Sequence, residues 1–521
     1  MPRLRTTSTF RTTVVALGNR IVKLRARQPV ESPGHHGLSR ESGLAVSRMR
    51  RPFCARHAAL ALSVVVAVLA ACRGDSASVI APELPEISAA TVLPNPHNVL
   101  SAVVDVRVRG ADRVAVSYTL DGAAAGSDSL TPALPVSDDS VAVPVLGLLP
   151  ARQYVMRVVA YGANGMARSE PLAFTTDPLP FDLPVYSTTG SDPSPGFTVL
   201  AARQYGLVLD NTGRIVWYRR FPNGPGLNFI AQPNDRYAAR PTALDPTDSG
   251  RWVEVDVLGN ETRSLRCARG LSPRLHDLVA EADGSYWLLC DETRVMDLTA
   301  IGGVADALVT GTAVQHVAAD GAALFHWSPF DHFAITDVDE KERRGPNVNW
   351  THGNAIDFDA DGNLLVSFRN LGEVTKIDVR TGDVLWRLGG RANQFTFTET
   401  PMPSFVGQHS ARALGSGAIL LLDNVGDPSQ SRAERYAIDE QAHTARLVQS
   451  YTSTPSVVTQ IGGSVQPLPD GRTLVSFGTA GRVEEYDASG RVVWRIAGNP
   501  GYVFRAQRIR SLYSPGVRDA P

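Results

Sequence analysis

Three histidines recur at the same position of successive sequence segments. Each one precedes, by eight to ten residues, a glycine that stands between two apolar runs, as expected of a tight turn. The pairs are His276 with Gly284, His352 with Gly362, and His409 with Gly417. A neutral imidazole can act as a nucleophile or transfer a proton. One histidine on an inner strand is more often structural, whereas three in the same phase favour a functional site.

A polar residue is predicted opposite each histidine. Residues equidistant from a hairpin turn lie side by side on the paired strands. The predicted pairs are His352 with Arg369, His409 with Asp423 and Asn424, and His276 with Asp291. The candidate site therefore combines imidazoles, a guanidinium, an amide and carboxylates.

This combination favours binding of an anion over binding of a metal ion. Three histidines could ligate zinc, but Arg369 beside them would repel a cation, and no carboxylate arrangement completes an obvious metal site. We therefore predict no metal and no cofactor. A guanidinium matches the geometry of oxyanions, and neutral histidine can attack an electrophile. The chemistry predicted is sulfuryl or phosphoryl transfer.

The elements that must position these residues are repeated strands between residues 186 and 515. Turn glycines recur at Gly362, Gly417 and Gly471, which are 55 and 54 residues apart. An Asp…Thr/Ser-Gly…Trp pattern ends at Trp217, Trp386 and Trp494. Units of this length with several strands are typical of propeller blades. Six units predict a six-bladed β-propeller, with an insertion around 292–348, and the histidines should meet at one end of its channel.

A smaller all-β domain is predicted before the repeats. Residues 86–176 contain about seven apolar runs of period two, broken by Gly, Asp and Pro, which suits a β-sandwich. The stretch from Leu149 to Tyr154 resembles a turn of fibronectin type III domains. We therefore expect an all-β chain, with a tether at 73–85, a fibronectin III-like β-sandwich at 86–176, and the propeller at 186–515.

The first 72 residues predict an export signal. An apolar run at 58–71 follows Arg50, Arg51 and Arg56, and it is too short for a stable membrane anchor. The run ends at Cys72 in a pattern that resembles a bacterial lipobox, in which the cysteine takes the lipid. A plain secretory signal remains the alternative. We expect lipid anchoring in the bacterial cell envelope, and Arg73 favours the outer membrane facing the periplasm or the surface.

Composition limits the partners. Hydrophobic residues make up 43% and charged residues 20% of the 521 residues, as in globular proteins. From Cys72 onward there are 39 basic and 50 acidic residues, so no nucleic-acid partner is predicted. An exported compartment permits a disulfide between Cys267 and Cys290, and two free buried thiols remain the alternative.

Two segments of the repeats resemble bacterial arylsulfate sulfotransferases. They are Thr351-His352-Gly353-Asn354 with Ser367-Phe368-Arg369-Asn370, and Gly407-Gln408-His409-Ser410-Ala411-Arg412 with Leu422-Asp423-Asn424. The resemblance covers most of 186–515. It implies a six-bladed propeller with a smaller N-terminal β-sandwich. It also implies transfer of a sulfuryl group from a phenolic sulfate to a phenol, without adenosine phosphosulfate.

The same resemblance implies roles for the candidate residues. His409 would be the nucleophile that carries the sulfuryl group, so ping-pong kinetics are expected. His276 and His352 would act as acid/base groups or bind sulfate. Arg369 and Asn354 would hold the sulfate oxygens, and Asn424 is also predicted to bind substrate. Aryl sulfates and phenols are the expected partners, and a homodimer is left open.

Two other functions compete with this interpretation. A lipid-anchored propeller could serve in binding or scaffolding at the cell envelope, but it would not need histidines and arginine in phase. A quinoprotein dehydrogenase shares the Asp…Thr-Gly…Trp pattern, but such enzymes have more blades, a Ca²⁺ site and a bound cofactor. Here the pattern occurs three times, and no two cysteines are adjacent.

Overall fold

The computed structural model describes residues 83–124, 126–242, 250–400, 404–415 and 417–516. The chain divides into the units Met1–Ser78 and Val79–Pro521, and every described residue lies in the second unit. These residues form strands and short 3₁₀ helices without any α-helix, which confirms the prediction of an all-β protein. The predicted export signal and Cys72 lie outside the described residues. Within them, no helix has the length and apolar character needed to cross a membrane.

The N-terminal part consists of two antiparallel sheets with an apolar core between them. One sheet has the order β1-β2-β6, and the other has the order β4-β3-β7-β8, with β5 paired to β3 and β9 to β7. The Leu149 N–H donates a hydrogen bond of 2.8 Å to the Tyr154 hydroxyl, which holds the turn before β7. The strands are β1 (Glu86–Pro94), β2 (Ser101–Arg109), β3 (Arg113–Leu120), β4 (Ser129–Leu130), β5 (Leu134–Pro135), β6 (Ser140–Leu146), β7 (Gln153–Gly162), β8 (Gly165–Arg168) and β9 (Leu172–Thr175).

Six further sheets of four or five strands follow. Their strand orders are β36-β11-β12-β13, β14-β15-β16-β17, β18-β19-β20-β21, β23-β24-β25-β26, β28-β29-β30-β31-β27 and β32-β33-β34-β35-β10, with β22 beside β20. All neighbours are antiparallel except the pairs β20–β22 and β27–β31. Central strands such as β24 and β29 are buried on both faces, which explains their nearly continuous apolar sequences.

The strands from β10 to β22 form the first three sheets, except that β10 pairs with β35 of the sixth sheet. They are β10 (Thr188–Gly190), β11 (Phe197–Ala202), β12 (Tyr205–Leu209), β13 (Ile215–Arg220), β14 (Phe229–Ala231), β15 (Tyr237–Ala239), β16 (Trp252–Val255), β17 (Glu261–Leu265), β18 (Ser272–Ala280), β19 (Tyr286–Met296), β20 (Ala307–Val317), β21 (Ala323–Trp327) and β22 (Asn347–Asn349). The 3₁₀ helices in this region are Thr299–Ile301, Pro329–Asp331, Ile335–Asp337 and Glu340–Arg343.

The strands from β23 to β36 form the last three sheets, except that β36 pairs with β11 of the first sheet. They are β23 (Gly353–Phe358), β24 (Leu364–Phe368), β25 (Glu373–Ile377), β26 (Val384–Gly389), β27 (Thr396–Thr398), β28 (His409–Leu414), β29 (Ala418–Asp423), β30 (Arg432–Asp439), β31 (Thr444–Thr452), β32 (Ser464–Pro467), β33 (Thr473–Ser476), β34 (Val483–Tyr486), β35 (Val492–Ile496) and β36 (Ala506–Ile509). The 3₁₀ helices here are Pro469–Gly471 and Gly478–Ala480.

One edge strand of each sheet contacts the corresponding strands of its neighbours. We call these six strands, β36, β14, β18, β23, β28 and β32, the leading strands. Contacts join β14 to β36, β36 to β32, β32 to β28, β28 to β23 and β23 to β18. The Gln232 side chain, just after β14, closes the cycle by accepting from the Ala280 N–H and donating to the Leu278 carbonyl on β18. The turn glycines Gly284 and Gly362 lie directly after leading strands and have φ of 89° and 80°.

Tryptophans on the fourth strands join successive sheets. The indole N–H groups of Trp217, Trp327 and Trp494 each donate to a carbonyl in the last hairpin of the next sheet. The acceptors are Val257 at 2.8 Å, Gly382 at 3.1 Å and Asn211 at 2.9 Å, respectively. Trp494 lies in the sixth sheet and its acceptor lies in the first. The indole contacts, like those of the leading strands, therefore join the last sheet to the first.

The expected insertion around 292–348 lies in the third sheet. Strands β19 and β20 extend beyond their neighbours as a long hairpin of 11 residues each. After β21, three short 3₁₀ helices lead to β22, which pairs in parallel with the first residues of β20, near the tip of the hairpin. The insertion therefore ends at Asn349, three residues before His352, and it helps to form the candidate site.

Arg508 on β36 provides a test of how the first and sixth sheets are joined. Its guanidinium is buried, lies 2.6 Å from Glu485 of β34, and also donates to Thr198 and Asn211 of the first sheet. Arg508→Met should lower the free energy of unfolding by about 3 kcal/mol, because it removes a buried charge from its partners. Urea denaturation of the full chain measures this change.

Arg491→Met is the matched control. Arg491 makes an ion pair of 2.8 Å with Asp487, but its side chain is largely exposed. Exposed pairs contribute little, so this variant should unfold at the urea concentration of the parent protein. Equal effects of the two substitutions would contradict the role assigned to Arg508.

Candidate active site

The structure brings the three predicted histidines together. His276 lies within β18, His352 directly precedes β23, and His409 is the first residue of β28. The ring centroids of His276 and His352 are 4.9 Å apart. The Phe504 ring lies 5.6 Å from that of His276 and 6.1 Å from that of His409. The site thus forms around Phe504, a residue that the repeat pattern did not indicate.

Each leading strand departs from regular pairing where it carries its histidine. The register shifts between Pro273 and Leu278 on β18, between Gly353 and Ala355 on β23, and between His409 and Arg412 on β28. His352 and the neighbour of His409, Ser410, have φ of 50° and 57°. Such irregularities redirect side chains that a regular strand would hold against the sheet. They therefore place the imidazoles in the site.

The irregularity of β18 corrects one predicted pair. Asp291 lies opposite Ser272 rather than opposite His276, because several residues of β18 bulge out of register. Its carboxylate instead makes an ion pair with the buried Arg274. The other two predictions hold more closely. The backbone N–H of Arg369 donates to the backbone carbonyl of His352 at 3.0 Å. The Asn424 side chain hydrogen-bonds to the imidazole of His409.

The hydrogen bonds of His409 determine which nitrogen carries its proton. Nδ1 lies 2.9 Å from Asn424 Oδ1 and 3.1 Å from the Gly407 carbonyl oxygen. Both oxygens accept, so Nδ1 must carry the hydrogen. Nε2 accepts a hydrogen bond of 3.3 Å from the Gly462 N–H. The lone pair of the neutral imidazole is therefore on Nε2.

The amide of Asn424 fixes this arrangement. Asn424 is fully buried, and its Nδ2 donates to the carbonyls of Thr459 and Gly462 at 3.0 and 2.9 Å. Because carbonyls only accept, Oδ1 must face His409. The polar atoms of Asn424 are thus used within the protein. In this structure the side chain therefore positions the imidazole, and its predicted binding of substrate stays a prediction.

The other two histidines have different surroundings. Nδ1 of His352 lies 2.7 Å from Asn349 Nδ2, which donates to it, so the proton of the neutral ring lies on Nε2. His276 is buried, and its Nδ1 has no hydrogen-bond partner among the described residues. Asn349 belongs to the insertion, and sequence reasoning did not associate it with the site.

Two arginines flank the histidines. Arg369 donates to Asn370 Oδ1 at 2.9 Å and to the Gln460 carbonyl at 3.3 Å, and within the described part of the chain no carboxylate pairs with it. Arg274 is buried and pairs with Asp291. Arg274 was not predicted from the sequence, because its position in the site depends on the bulge in β18.

A buried carboxylate lies directly behind the histidines. Asp277 accepts from Arg505 at 3.0 Å, from Arg412 at 3.1 Å and from the Ile356 N–H at 3.1 Å. The two guanidiniums hold the pKa of Asp277 below its usual value, although burial acts in the opposite direction. These charged groups separate the histidines from a cavity of about 280 Å³ that is lined by the later residues of the leading strands.

Burial keeps the histidines neutral. It lowers the pKa of His409 to about 4 and the pKa of His352 to about 2, and it lowers the pKa of His276 well below its usual value. Arg274 is the next cause for His276 and His352, and Arg369 acts on His352 and His409. At neutral pH the site therefore combines uncharged nucleophilic nitrogens with positively charged neighbours.

The remaining predicted residues have structural contacts. Asn354 Nδ2 donates to the Gln408 carbonyl at 2.6 Å, which links β23 to the segment that carries His409. Cys267 and Cys290 form a disulfide with a Cα separation of 6.2 Å, which joins the loop before β18 to β19. In the part of the chain that the structure describes, no group of His, Cys, Asp and Glu side chains is arranged to hold a metal ion.

Comparison with known families gives one match. Residues 272–499 match the sequence profile of a family described as arylsulfotransferase (ASST). This segment contains His276, His352, Arg369 and His409, but it ends before Phe504 and Arg505. No curated protein matches the chain.

Several solved structures align at low similarity. A protein of unknown function from Bacteroides caccae aligns with 15% identity and a TM-score of 0.39, over 61% of this chain and 100% of its own. A streptogramin B lyase aligns with 12% identity and a TM-score of 0.35, over 59% and 81%. The virginiamycin B lyase of Staphylococcus aureus aligns with 10% identity and a TM-score of 0.33, over 59% and 87%. Similarity at this level carries no argument about function.

The buried histidines predict a pH-dependent stability. Unfolded histidines have a pKa of about 6.5, so below that pH the unfolded chain binds protons that the folded site refuses. Stability should therefore fall as the pH falls from 7.5 to 5. His409→Gln should reduce this slope by up to about 1.4 kcal/mol per pH unit, because one such histidine is removed. Urea denaturation at several pH values measures the slope.

Ser410→Ala is the control for this experiment. Ser410 is buried beside His409 and hydrogen-bonds to the backbone of Val465 at 3.2 Å, but it does not titrate in this range. Its loss should lower stability equally at every pH. If His409→Gln left the pH slope unchanged, the neutral state of His409 would be contradicted.

Proposed function

We propose that the protein is an aryl sulfotransferase, because residues 272–499 match the arylsulfotransferase family. It would move a sulfuryl group from an aryl sulfate to a phenol, with His409 carrying the group between them and without adenosine phosphosulfate. The observation that carries the proposal is the state of His409. Its Nε2 carries the electron pair of the neutral ring and accepts only a long hydrogen bond of 3.3 Å from the Gly462 N–H, which a substrate would have to displace. The ring lies among neutral imidazoles and guanidiniums that favour an anionic substrate.

Substrate binding would use Arg369. A guanidinium presents its donors in a planar fork that matches two oxygens of a sulfuryl group. Because no carboxylate among the described residues pairs with Arg369, its charge is available to the substrate. Neutral histidines add no repulsion among themselves, so the excess charge of the site comes from the arginines.

In the first half-reaction, the Nε2 electron pair of His409 forms a bond to sulfur. The bond between sulfur and the aryl oxygen breaks, and its electrons leave with the phenolate. The imidazole that carries the sulfuryl group is positively charged, and its Nδ1–H remains bonded to the carbonyl oxygens of Asn424 and Gly407. These acceptors stabilise the developing charge. The Nε2–H of His352 is suited to donate to the departing oxygen.

In the second half-reaction, the acceptor phenol attacks the same sulfur. The bond between sulfur and Nε2 breaks, and His409 recovers its neutral state. The phenol must lose its proton, and its hydroxyl becomes strongly acidic as the oxygen bonds to sulfur. The weakly basic His276 can therefore take the proton at that stage, and its low pKa favours release of the proton to solvent. A neutral amide, rather than a carboxylate, contacts the His409 ring, which keeps Nε2 a good leaving group. Two displacements on one enzyme group give ping-pong kinetics.

The apolar side chains at the site suit an aryl ring. Phe504 faces His276 and His409 edge-on, and Tyr502 lies 6.4 Å from Phe504 between ring centroids. Tyr502 is 40% exposed and Ile461 is 52% exposed, so both could contact a ring that enters from solvent. These contacts would complement the binding of the sulfuryl group by the arginines.

We also propose the finer architecture expected from the sequence. The closed cycle of leading strands and the tryptophan contacts support a six-bladed β-propeller at 186–515. The contact between Leu149 and the Tyr154 hydroxyl supports a fibronectin III-like β-sandwich at 86–176. Export, lipidation at Cys72 and anchoring in the cell envelope are proposed from the sequence alone.

The decisive experiment measures release of 4-nitrophenol from 4-nitrophenyl sulfate by the full chain, with and without added phenol. Release should depend on phenol, and initial rates should show the parallel double-reciprocal lines of a ping-pong reaction. His409→Ala should lose more than about 1,000-fold of the rate, because the group that carries the sulfuryl is gone. Mass spectrometry of the protein mixed with donor alone should find one added sulfuryl group on the His409 peptide.

His443→Asn is the control, because His443 lies in the turn between β30 and β31, away from the site. Asparagine tolerates the φ of 49° at this position. This variant should keep the parent rate. A folded protein that releases no nitrophenol from several aryl sulfates would instead favour the non-enzymatic binding propeller.

The pH dependence of turnover provides a second test. Since burial lowers the pKa of His409 to about 4, its Nε2 should stay unprotonated from pH 8 down to pH 5. The value of kcat/KM should therefore lack the loss near pH 6.5 that an exposed histidine nucleophile would show. A fall of tenfold per pH unit that starts at pH 6.5, in protein still folded by circular dichroism, would contradict this assignment.

A further inference from the structure

We propose that Arg274 is a second guanidinium that binds the sulfuryl oxygens, and that Asp291 holds it in position. This inference rests on the proposed function and adds a second positively charged group to the site, in the same irregular segment of β18 as His276. The family resemblance and the repeat pattern did not indicate Arg274. Its assignment comes from the path of β18 and from the contacts made there.

The bulge of β18 places Arg274 and His276 in one irregular segment. Between Pro273 and Leu278 the strand leaves its register with β19, so the intervening side chains are not bound by regular pairing. The Arg274 carbonyl accepts from the Trp252 indole at 3.0 Å, and its guanidinium pairs with Asp291 on β19. Arg274 is therefore held at both its backbone and its head group.

Two buried polar atoms in this segment lack a protein partner. Arg274 is 8% exposed and His276 is 7% exposed. Arg274 Nε and His276 Nδ1 have no hydrogen-bond partner among the described residues. A buried polar atom without a partner is unfavourable, and native proteins seldom leave one unless something else binds it. The three oxygens of a sulfuryl group are acceptors that Arg274 Nε could satisfy.

Arg274 and Arg369 act on different members of the histidine cluster. Arg274 is the strongest charged influence on the pKa of His276 and of His352, whereas Arg369 acts on His352 and His409. Both guanidiniums therefore act on His352, and each acts on one further histidine. Arg369 would bind oxygens near the nucleophile, and Arg274 would bind an oxygen on the side of His276.

The test uses the full chain and the variants Arg274→Gln and Arg274→Lys. Arg274→Gln should lower kcat/KM for 4-nitrophenyl sulfate by about 10- to 100-fold, as for the loss of a charge-assisted hydrogen bond. Arg274→Lys, which keeps the charge, should recover part of that loss. Because Arg274 lowers the pKa of both neighbouring histidines, removing its charge should also move the acid limb of the pH profile to higher pH. A role confined to folding would not produce that shift.

Arg263→Gln is the matched control. Arg263 pairs with Glu254 at 2.7 Å in the second sheet and lies over the Tyr286 ring, but it does not face the histidines. It should keep the parent kcat/KM and pH profile. The inference is overturned if Arg274→Gln keeps the parent kcat/KM, or if it loses rate without recovery in Arg274→Lys and without a change in the pH profile.

A separate measurement distinguishes this inference from the proposed function. If the parent protein does not turn over any aryl sulfate, the proposed function fails, and calorimetric binding of inorganic sulfate then tests Arg274 alone. Sulfate binding that Arg274→Gln weakens at least tenfold, and Arg263→Gln does not, would support Arg274 as an anion-binding residue. Absence of sulfate binding to the parent protein would overturn the inference.

Discussion

The candidate site depends on one buried carboxylate, Asp277. It adjoins His276 on β18 and binds two guanidiniums, those of Arg412 on β28 and Arg505 beside Phe504. It also accepts the Ile356 N–H of β23. A single side chain thus joins the strands that carry all three histidines to the segment that carries Phe504. An isolated buried carboxylate would be strongly unfavourable, and removal of either arginine would leave it poorly compensated. The strands are therefore fixed to one another at the depth where the chemistry would occur.

Charge and burial act together in front of this carboxylate. Burial lowers the pKa of the histidines, and the arginines lower it further, so the imidazoles remain neutral in a positively charged environment. A protonated histidine could not attack, and a site without arginines would not hold an anion. The same surroundings thus keep Nε2 of His409 reactive and attract its substrate. Asn424 completes the arrangement because its amide oxygen accepts from Nδ1 and orients the ring. That hydrogen bond raises the pKa of His409, but the opposite effect of burial is larger, so the ring stays neutral.

The fold supplies this arrangement through departures from regular strands. A regular strand directs alternate side chains to its two faces, where neighbouring sheets would bury them. Bulges at β18, β23 and β28 free the histidine-bearing segments from that constraint. The rest of each sheet remains regular and provides a rigid support. The insertion adds Asn349, which fixes the proton of His352, so it contributes to the site rather than only extending the surface.

Local periodicity and hairpin spacing were enough to predict the all-β class, the common phase of the three histidines and the position of Arg369 beside His352. The sequence also contained the family motifs around His352 and His409. Three features come instead from long-range packing: Asp291 faces Arg274, Asn424 orients His409, and Arg505 and Phe504 complete the site. Bulges break the register on which spacing arguments rely, and Phe504 lies 95 residues after His409. Contacts of that kind depend on how the last strand returns to the first sheet, which no local pattern records.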